Sequence, residues 1–397
     1  MSNFKDSGVE WLGVIPDHWE KLRLKFVYNI KKAKLPSKFY DDNSLTPYLS
    51  MDYIRGKDVV LKYAEDGDLV EEDDILLLWD GSKAGEIILD HPKGYAPSTT
   101  AILSKNHQKL INDYGKFYLK FMEIELKKNT NGMGIPHVDG NFLKSMPFLL
   151  PPISEQKEIT NYLNKKCSDI NEISHEIKEQ VQILKEYKLS LISEVVTRGL
   201  DDNVSLKDSG VEWIDKIPEN WRTSKIKSVC SINSGEYVSK NDYVDNGKYD
   251  IMGANGKIGN INKKNVYEEV LIMGRVGTIG TFFIVKDVWV SDNALIIKNN
   301  THINLRFLYY VLKLLPYDLL ASGTAQPLIT ATTIKNQYIP LPSLKEQEEI
   351  AEYLDEKVSS IDEVIALKEE QLEVLKEYEK SLIYEYVTGK KEVMVDD

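Results

Sequence analysis

Along Ile153 to Thr197 apolar residues recur at Ile159, Leu163, Ile170, Ile173, Ile177, Val181, Leu184, Leu191 and Val195, at intervals that are sums of threes and fours. Ile350, Leu354, Ile361, Val364, Leu372, Leu375, Leu382 and Tyr386 follow the same rule. Such spacing puts each set on one helical face, and neither stretch contains an internal Pro or Gly. At ~1.5 Å per residue each helix is about 65 Å long. Gln, Glu and Lys fill the other faces, where they favour helix without burial. The apolar stripes must be covered, and their length predicts a coiled coil.

The second stretch is a copy of the first. Gln156, Ile159, Tyr162, Leu163, Glu186, Tyr187 and Thr197 reappear 191 residues later as Gln347, Ile350, Tyr353, Leu354, Glu377, Tyr378 and Thr388. Upstream, Asp6-Ser7-Gly8-Val9-Glu10-Trp11, with Ile15-Pro16 and Trp19, recurs as Asp208 to Trp213, with Ile217-Pro218 and Trp221. Repeats fix architecture, so the chain is read as one unit written twice. The predicted division is a lead-in and globular segment over residues 1–152 and a long helix over 153–200. A linker with the second lead-in follows over 201–217. A second globular segment over 218–343, a second long helix over 344–388 and a polar tail over 389–397 complete the chain.

Each lead-in predicts an apolar clasp joining a short turn or helix to the body. Ile75 to Trp79, Glu86 to Leu89 and Thr99 to Leu103 read as strands, with a turn at Asp80 to Gly85 and a helix around Gly115 to Lys127. In the second segment Val229 to Ile232, Val270 to Met273, Thr281 to Val285 and Ala294 to Ile297 are strand-like. Gly253 to Gly256 is a tight turn, Gly274 to Gly280 a loop, and Leu305 to Leu315 a helix. Prolines at 147, 151 and 152, and at 340 and 342, end each body and release the long helix. Both segments therefore predict a mixed α+β body, an α/β head in two copies.

Composition narrows the class. Hydrophobic residues make up 42% of 397, enough for ordinary cores. The N-terminus does not read as a signal peptide, and no apolar run approaches the ~20 residues that cross a bilayer. Two separated cysteines, Cys167 and Cys230, fit a reduced, cytoplasmic setting in which both are inert. Net charge is −12, which argues against nucleic acid until its distribution is read. Pro218 to Pro340 holds 14 Lys and Arg against 10 Asp and Glu, whereas Pro16 to Leu150 holds 19 against 20. Leu344 to Tyr386 holds 5 against 14, so most of the acidity is in the helices. A positive surface on the heads is compatible with the total.

No reaction centre emerges. The glycines of Gly274 to Gly280 lack the Lys-Ser or Lys-Thr pair of a phosphate loop and the spacing of a dinucleotide fingerprint. Asp80, Lys83 and Glu86 suggest a metal-dependent nuclease only as the chance cluster that 62 acidic residues allow. The six histidines show no metal spacing. The expectation is no catalytic residue and no metal site.

Three features carry a family resemblance: the lead-in Ser7-Gly8-Val9-Glu10-Trp11-Leu12-Gly13, the pair of Leu150 to Gln156 and Ile339 to Gln347, and Gly274-Arg275-Val276-Gly277. Together they resemble the specificity subunit of type I DNA restriction-modification systems, over essentially the full chain and in both repeats. The resemblance implies two target-recognition domains that each read one half of a split DNA sequence. It also implies an antiparallel coiled coil in a pseudo-twofold arrangement that holds them apart. Methyltransferase subunits, two of them, would dock on the repeated regions, and motor and nuclease subunits would join the larger assembly. S-adenosylmethionine, ATP and Mg2+ would belong to those partners, and this chain would need no cofactor. The coil and docking candidates are then Ile159, Leu163, Ile170, Ile177, Leu184 and Leu191 in one helix, with Ile350, Leu354, Ile361, Leu372, Leu375 and Leu382 in the other.

For double-stranded DNA, direct readout calls for polar side chains at loop tips that reach the major groove. Candidates are Arg275, Asn255 and Lys257 in the second head, Ser82 and Lys83 in the first, and Gln326 and Asn336 before the second long helix. Two other readings stay open: a coiled-coil adaptor whose heads bind proteins, and a self-contained nuclease.

Overall fold

The computed structural model describes residues 3–132, 134–275, 279–321 and 328–393. The chain divides into two compact units, Met1–Glu176 with Gln371–Asp397, and Ile177–Glu370. Each unit therefore owns part of both long helices, which run over Ile153–Arg198 and Leu344–Val387.

The lead-ins are β-hairpins rather than a turn or helix, and the second occupies most of the stretch expected as linker with second lead-in. Phe4–Asp6 pairs with Val14–Pro16, and Leu206–Val211 with Ile214–Pro218. The repeated Asp-Ser-Gly explains the shape. Asp6 accepts a hydrogen bond from the Gly8 amide and Ser7 from that of Val9, as Asp208 and Ser209 do from Gly210 and Val211. Gly8 and Gly210 take positive φ, +66° and +70°, so a short polar pair followed by glycine closes the chain on itself.

In the first unit a four-stranded sheet has the order Tyr28–Lys32, Thr100–Lys105, Ile75–Leu78, Ile87–Ile88, all antiparallel. The second unit repeats it with Cys230–Ser234, Ala294–Asn299, Val270–Gly274 and Phe282–Val285. An outer sheet accompanies each. In the first unit its order is Lys62–Ala64, Thr46–Tyr48, Gly94–Tyr95, Leu69–Val70; in the second it is Gly256–Ile261, Tyr249–Gly253, Trp289–Val290. In both, one pairing within that outer sheet is parallel. Helices Asn112–Lys128 and Leu305–Leu312 cover the main sheets, burying Tyr114, Tyr118 and Leu119 in one and Phe307, Leu308 and Val311 in the other. The entering strand Glu20–Arg23 pairs with the leaving strand Pro147–Leu150, as Arg222–Lys225 does with Tyr338–Leu341. Each head thus closes before its helix begins.

The Glu-Gln pair at each helix start is the fastening. Trp19 Nε1 donates to Glu155 Oε2 at 2.8 Å, and Trp221 Nε1 to Glu346 Oε1 at 3.1 Å. Gln156, wholly buried, accepts from the Ile111 amide and donates to the Lys109 and Pro151 carbonyls. Gln347 does the same with the Asn304 amide and the His302 and Pro342 carbonyls. Loop backbone that would otherwise be buried unpaired is satisfied by one amide side chain.

Burial along the helices recurs in columns of seven, joined beside the heads by Ile159, Ile192 and Ile350. Gln156, Leu163, Ile170 and Ile177 form one column, and Thr160, Cys167, Ser174 and Val181 the other. In the second helix the columns are Leu354, Ile361, Lys368, Leu375 and Val358, Ile365, Leu372, Glu379. Ile173 and Val364, which the apolar stripe includes, are 46% and 41% exposed because each stands one residue before its column. Within the first unit Ile159, Leu163, Cys167 and Ile170 share a core with Leu382, Ile383, Tyr386 and Val387. Within the second, Val181 packs with Ile361 and Ile365, and Lys188 pairs with Asp362. Partner numbers fall as helix numbers rise: Tyr162 stacks on Tyr386 in the first unit, and in the second Gln180 meets Lys368 while Lys188 meets Asp362. Val195 and Val196 in turn join Ile350 and Leu354 in the second head's core.

Candidate nucleic-acid interface

Strand order makes two of the sequence-selected loops equivalent. The turn after Ile75–Leu78, which carries Ser82 and Lys83, occupies the same place as the turn after Val270–Gly274, which carries Arg275. Ser82 and Lys83 are exposed. They line a cleft of about 370 Å³ with Glu86, Lys127, Thr130 and Pro136. Ala84 N–H to Gly81 O and Gly85 N–H to Leu78 O hold that turn. Gly85, at φ +90°, lies where a Cβ would come within 3.0 Å of the Lys127 amide nitrogen. The glycine therefore lets the turn approach helix Asn112–Lys128.

Arg275 is half-buried, with its backbone pinned on both sides. Its amide donates to Asn293 O at 3.2 Å and its carbonyl accepts from the Ile329 amide at 3.0 Å. Nη1 donates to Ser234 Oγ at 3.0 Å. A guanidinium fixed through one nitrogen keeps other N–H groups for a base edge or a phosphate. Residues 276–278 of this loop, and Gln326 with the Gly323 to Pro327 turn, lie outside the described residues.

Asn255, on the turn between Tyr249–Gly253 and Gly256–Ile261, and Lys257, at the start of the second of these strands, are exposed. Lys257 pairs with Asp250 at 2.7 Å, an exposed contact that is easily exchanged for another anion. Gly256, at φ +108°, lies where a Cβ would sit 3.5 Å from the Phe283 ring, and Phe283 pairs with Ile272, two residues before Gly274. Phe283 thereby links the Asn255 turn to the strands that flank the Arg275 loop. Asn336 is exposed at the C-terminal end of helix Ala331–Lys335, whose Ile334 is buried in the head.

What the sequence reading missed is a group of lysines after and before these strands, Lys248, Lys263, Lys264 and Lys286. They come from three separate stretches of the chain, brought together by strand pairing. Among the described residues no group of three or more His, Cys, Asp or Glu could hold a metal ion. No helix there is long and apolar enough to cross a membrane.

The model for the type I restriction modification DNA specificity domain matches twice, over residues 16–182 and 218–377. The chain is 32% identical to the type I restriction enzyme MjaVIII specificity subunit of Methanocaldococcus jannaschii, across 95% of this chain and 93% of that protein. It is 21% identical to the EcoBI specificity subunit of Escherichia coli across 90% and 83%. Among solved structures, one from work on assembly and conformational transition of the type I R-M system matches with TM-score 0.72. It covers 95% of this chain and 99% of its own, at 18% identity, and so bears on the fold. Two matching domains on a duplicated α+β fold, and a relative aligned nearly end to end, place the chain in the type I restriction-modification specificity family, as a non-catalytic DNA-specificity subunit.

Proposed function

We propose that the two heads read the two halves of a split, asymmetric double-stranded DNA sequence. The single observation that carries this is duplication with divergence. The strand order, the hairpins and the Trp-Glu and Gln fastenings recur, while the loops at equivalent places carry Ser82-Lys83 in one head and Arg275 in the other. One scaffold holding two different readers suits an asymmetric site.

In this reading residues 1–152 are the first lead-in with its target-recognition domain and 218–343 the second domain, 153–200 and 344–388 the spacers, 201–217 the linker with the second lead-in and 389–397 a tail. Base contacts come from Ser82 and Lys83, from Asn255, Lys257 and Arg275, and from Gln326 and Asn336. The heptad columns and the falling partner numbers support an antiparallel coiled coil with pseudo-twofold symmetry. Its residues Ile159 to Leu191 and Ile350 to Leu382 set the unread gap and dock two methyltransferase subunits. Restriction and motor subunits join through these in the bacterial or archaeal cytoplasm. S-adenosylmethionine, ATP and Mg2+ act in the partners.

The test is to co-express the chain with its methyltransferase subunits and map methylated adenines in host DNA. A split motif with two defined halves and a fixed gap is the expected result. Methylation that is unchanged when this chain is deleted would move the weight to a protein adaptor.

A further inference from the structure

The second head holds a basic cluster distinct from the candidate base-reading residues. Three loops meet at the open end of the hairpin formed by Tyr249–Gly253 and Gly256–Ile261. They bring Lys248 from before the first strand, Lys263 and Lys264 from after the second, and Lys286 from the turn ahead of Trp289–Val290. Lys248, Lys263 and Lys286 are exposed. Two carboxylates accompany the four ammonium groups: Asp287 lies 2.5 Å from Lys264 Nζ, and Asp242 lies 3.7 Å from Lys263 Nζ. The hydrogen bond from Lys264, with Lys286 and Lys248 also close, holds the Asp287 carboxyl below its usual range. Two acids among four lysines leave the cluster positive, within a head whose Lys and Arg outnumber its Asp and Glu by 14 to 10.

Three of the four lysines also stand over aromatic rings. Lys248 Nζ stands 5.2 Å from the Tyr249 ring centroid, and Lys264 Nζ 5.3 Å from Tyr249 and 4.9 Å from Tyr267. Lys263 Nζ stands 4.6 Å from the centroid of Trp289, which is itself buried. A ring face attracts an ammonium without neutralising it. An exposed lysine normally samples many rotamers, whereas a stacked one has already lost part of that freedom and meets an anion at lower entropic cost. An ordinary solvated lysine has no such placement.

We propose that Lys248, Lys263, Lys264 and Lys286 form the phosphate anchor of the second head, gripping the DNA backbone beside the half-site. This rests on the reading of the heads as DNA-recognition domains. The five-residue strand Tyr249–Gly253 spans about 16 Å at ~3.3 Å per residue, with the lysines at one end and the Asn255–Lys257 turn at the other. The major groove is about 12 Å wide, so a turn reading base edges leaves the lysines over a flanking strand. Phosphate contacts of this kind set register and carry no sequence information.

The test uses the chain assembled with its methyltransferase subunits and a labelled duplex bearing the mapped motif, with affinity followed through a KCl titration. Neutralising Lys248→Gln, Lys263→Gln and Lys286→Gln together leaves the Lys264–Asp287 pair intact. The slope of log affinity on log salt is expected to flatten by roughly 0.9 for each phosphate contact removed, with the methylated motif unchanged. Asp287→Asn, which removes an acid from the cluster, is expected to tighten binding and steepen the slope, a change that misfolding would not produce. An unchanged slope in the triple variant overturns the proposal, as does a change in the bases read in the second half-site. A wild-type assembly that shows no sequence preference, while the triple variant still flattens its salt slope, would sink the bipartite reading and leave the anchor standing.

Discussion

Gln156 and Gln347 are buried side chains whose whole hydrogen-bonding capacity is directed at loop backbone. Replacing either by Leu keeps the volume and strands one amide and two carbonyls, at a cost of about 3 kcal/mol. Urea unfolding of Gln156→Leu and Gln347→Leu measures this, and a loss within error of zero would refute the fastening role. The two thiols are the second residue-scale case. Burial pushes both Cys167 and Cys230 up to about 12. A raised thiol pKa means the protonated, unreactive form dominates until the pH approaches that value. At pH 8 neither should react with a disulfide reagent until denaturant is added, and prompt labelling of the folded chain would contradict their burial. At Arg275 the backbone bonds and, among the described residues, the Ser234 bond hold the half-buried guanidinium in place. Arg275→Ala is expected to weaken binding of the cognate duplex by about 1–3 kcal/mol if it reads a guanine. A salt titration of cognate affinity indistinguishable from wild type would exclude it.

At the scale of elements, the long helices show how periodicity is legible and where it blurs. Intervals of three and four identify a helix and its apolar side, on which Ile159, Leu163, Ile170, Ile350, Leu354 and Ile361 are buried. They do not choose between adjacent positions on that side. Ile173 and Val364 fit the intervals, yet the covered columns run through Ser174 and Ile365. Away from the heads the partner helix decides, because there the residues facing it every seventh position are the covered ones. Ile361→Ala and Ile365→Ala should each cost about 2 kcal/mol, the low end for a large-to-small change, since a two-helix layer relaxes readily. Ile173→Ala and Val364→Ala should change stability by no more than about 0.5 kcal/mol. Thermal unfolding that ranked the four substitutions the other way would displace the seam.

For the whole molecule, the first head is completed by residues from the other end of the chain. Leu382, Ile383, Tyr386 and Val387 share a core with Leu12, Trp19 and Tyr114. Tyr114 Oη donates to Val387 O at 3.2 Å, and Lys390 Nζ to Leu12 O at 2.7 Å. Each buried side chain of this size contributes about 1.5–3 kcal/mol, and a domain is stable by only about 5–15. Ending the chain at Ser381 should therefore unfold the first unit, Met1–Glu176 with what remains of its second-helix segment. The second unit, Ile177–Glu370, keeps its own core and should stay folded. Hydrogen exchange resolved by segment separates the two, and equal protection of the first head in the truncated chain would deny the closure.

The duplication, the two helices, the strand-rich heads and the family were determined by the sequence, because repeats and periodicity are local patterns that survive without coordinates. The lead-in hairpins were legible in principle, since Asp-Ser-Gly carries its own turn chemistry, but their apolar Trp and Ile drew the reading toward a clasp. Only the tertiary structure decided which helix column is covered, that Trp19 and Trp221 bind the first-turn glutamates, and that the C-terminal helix finishes the N-terminal head. The same holds for the grouping of Lys248, the Lys263-Lys264 pair and Lys286, which lie in three separate stretches of the chain. The physical reason is common to all of these. A contact between residues far apart in sequence depends on strand register and helix facing, which are set when the core is buried and leave no local signal at either end.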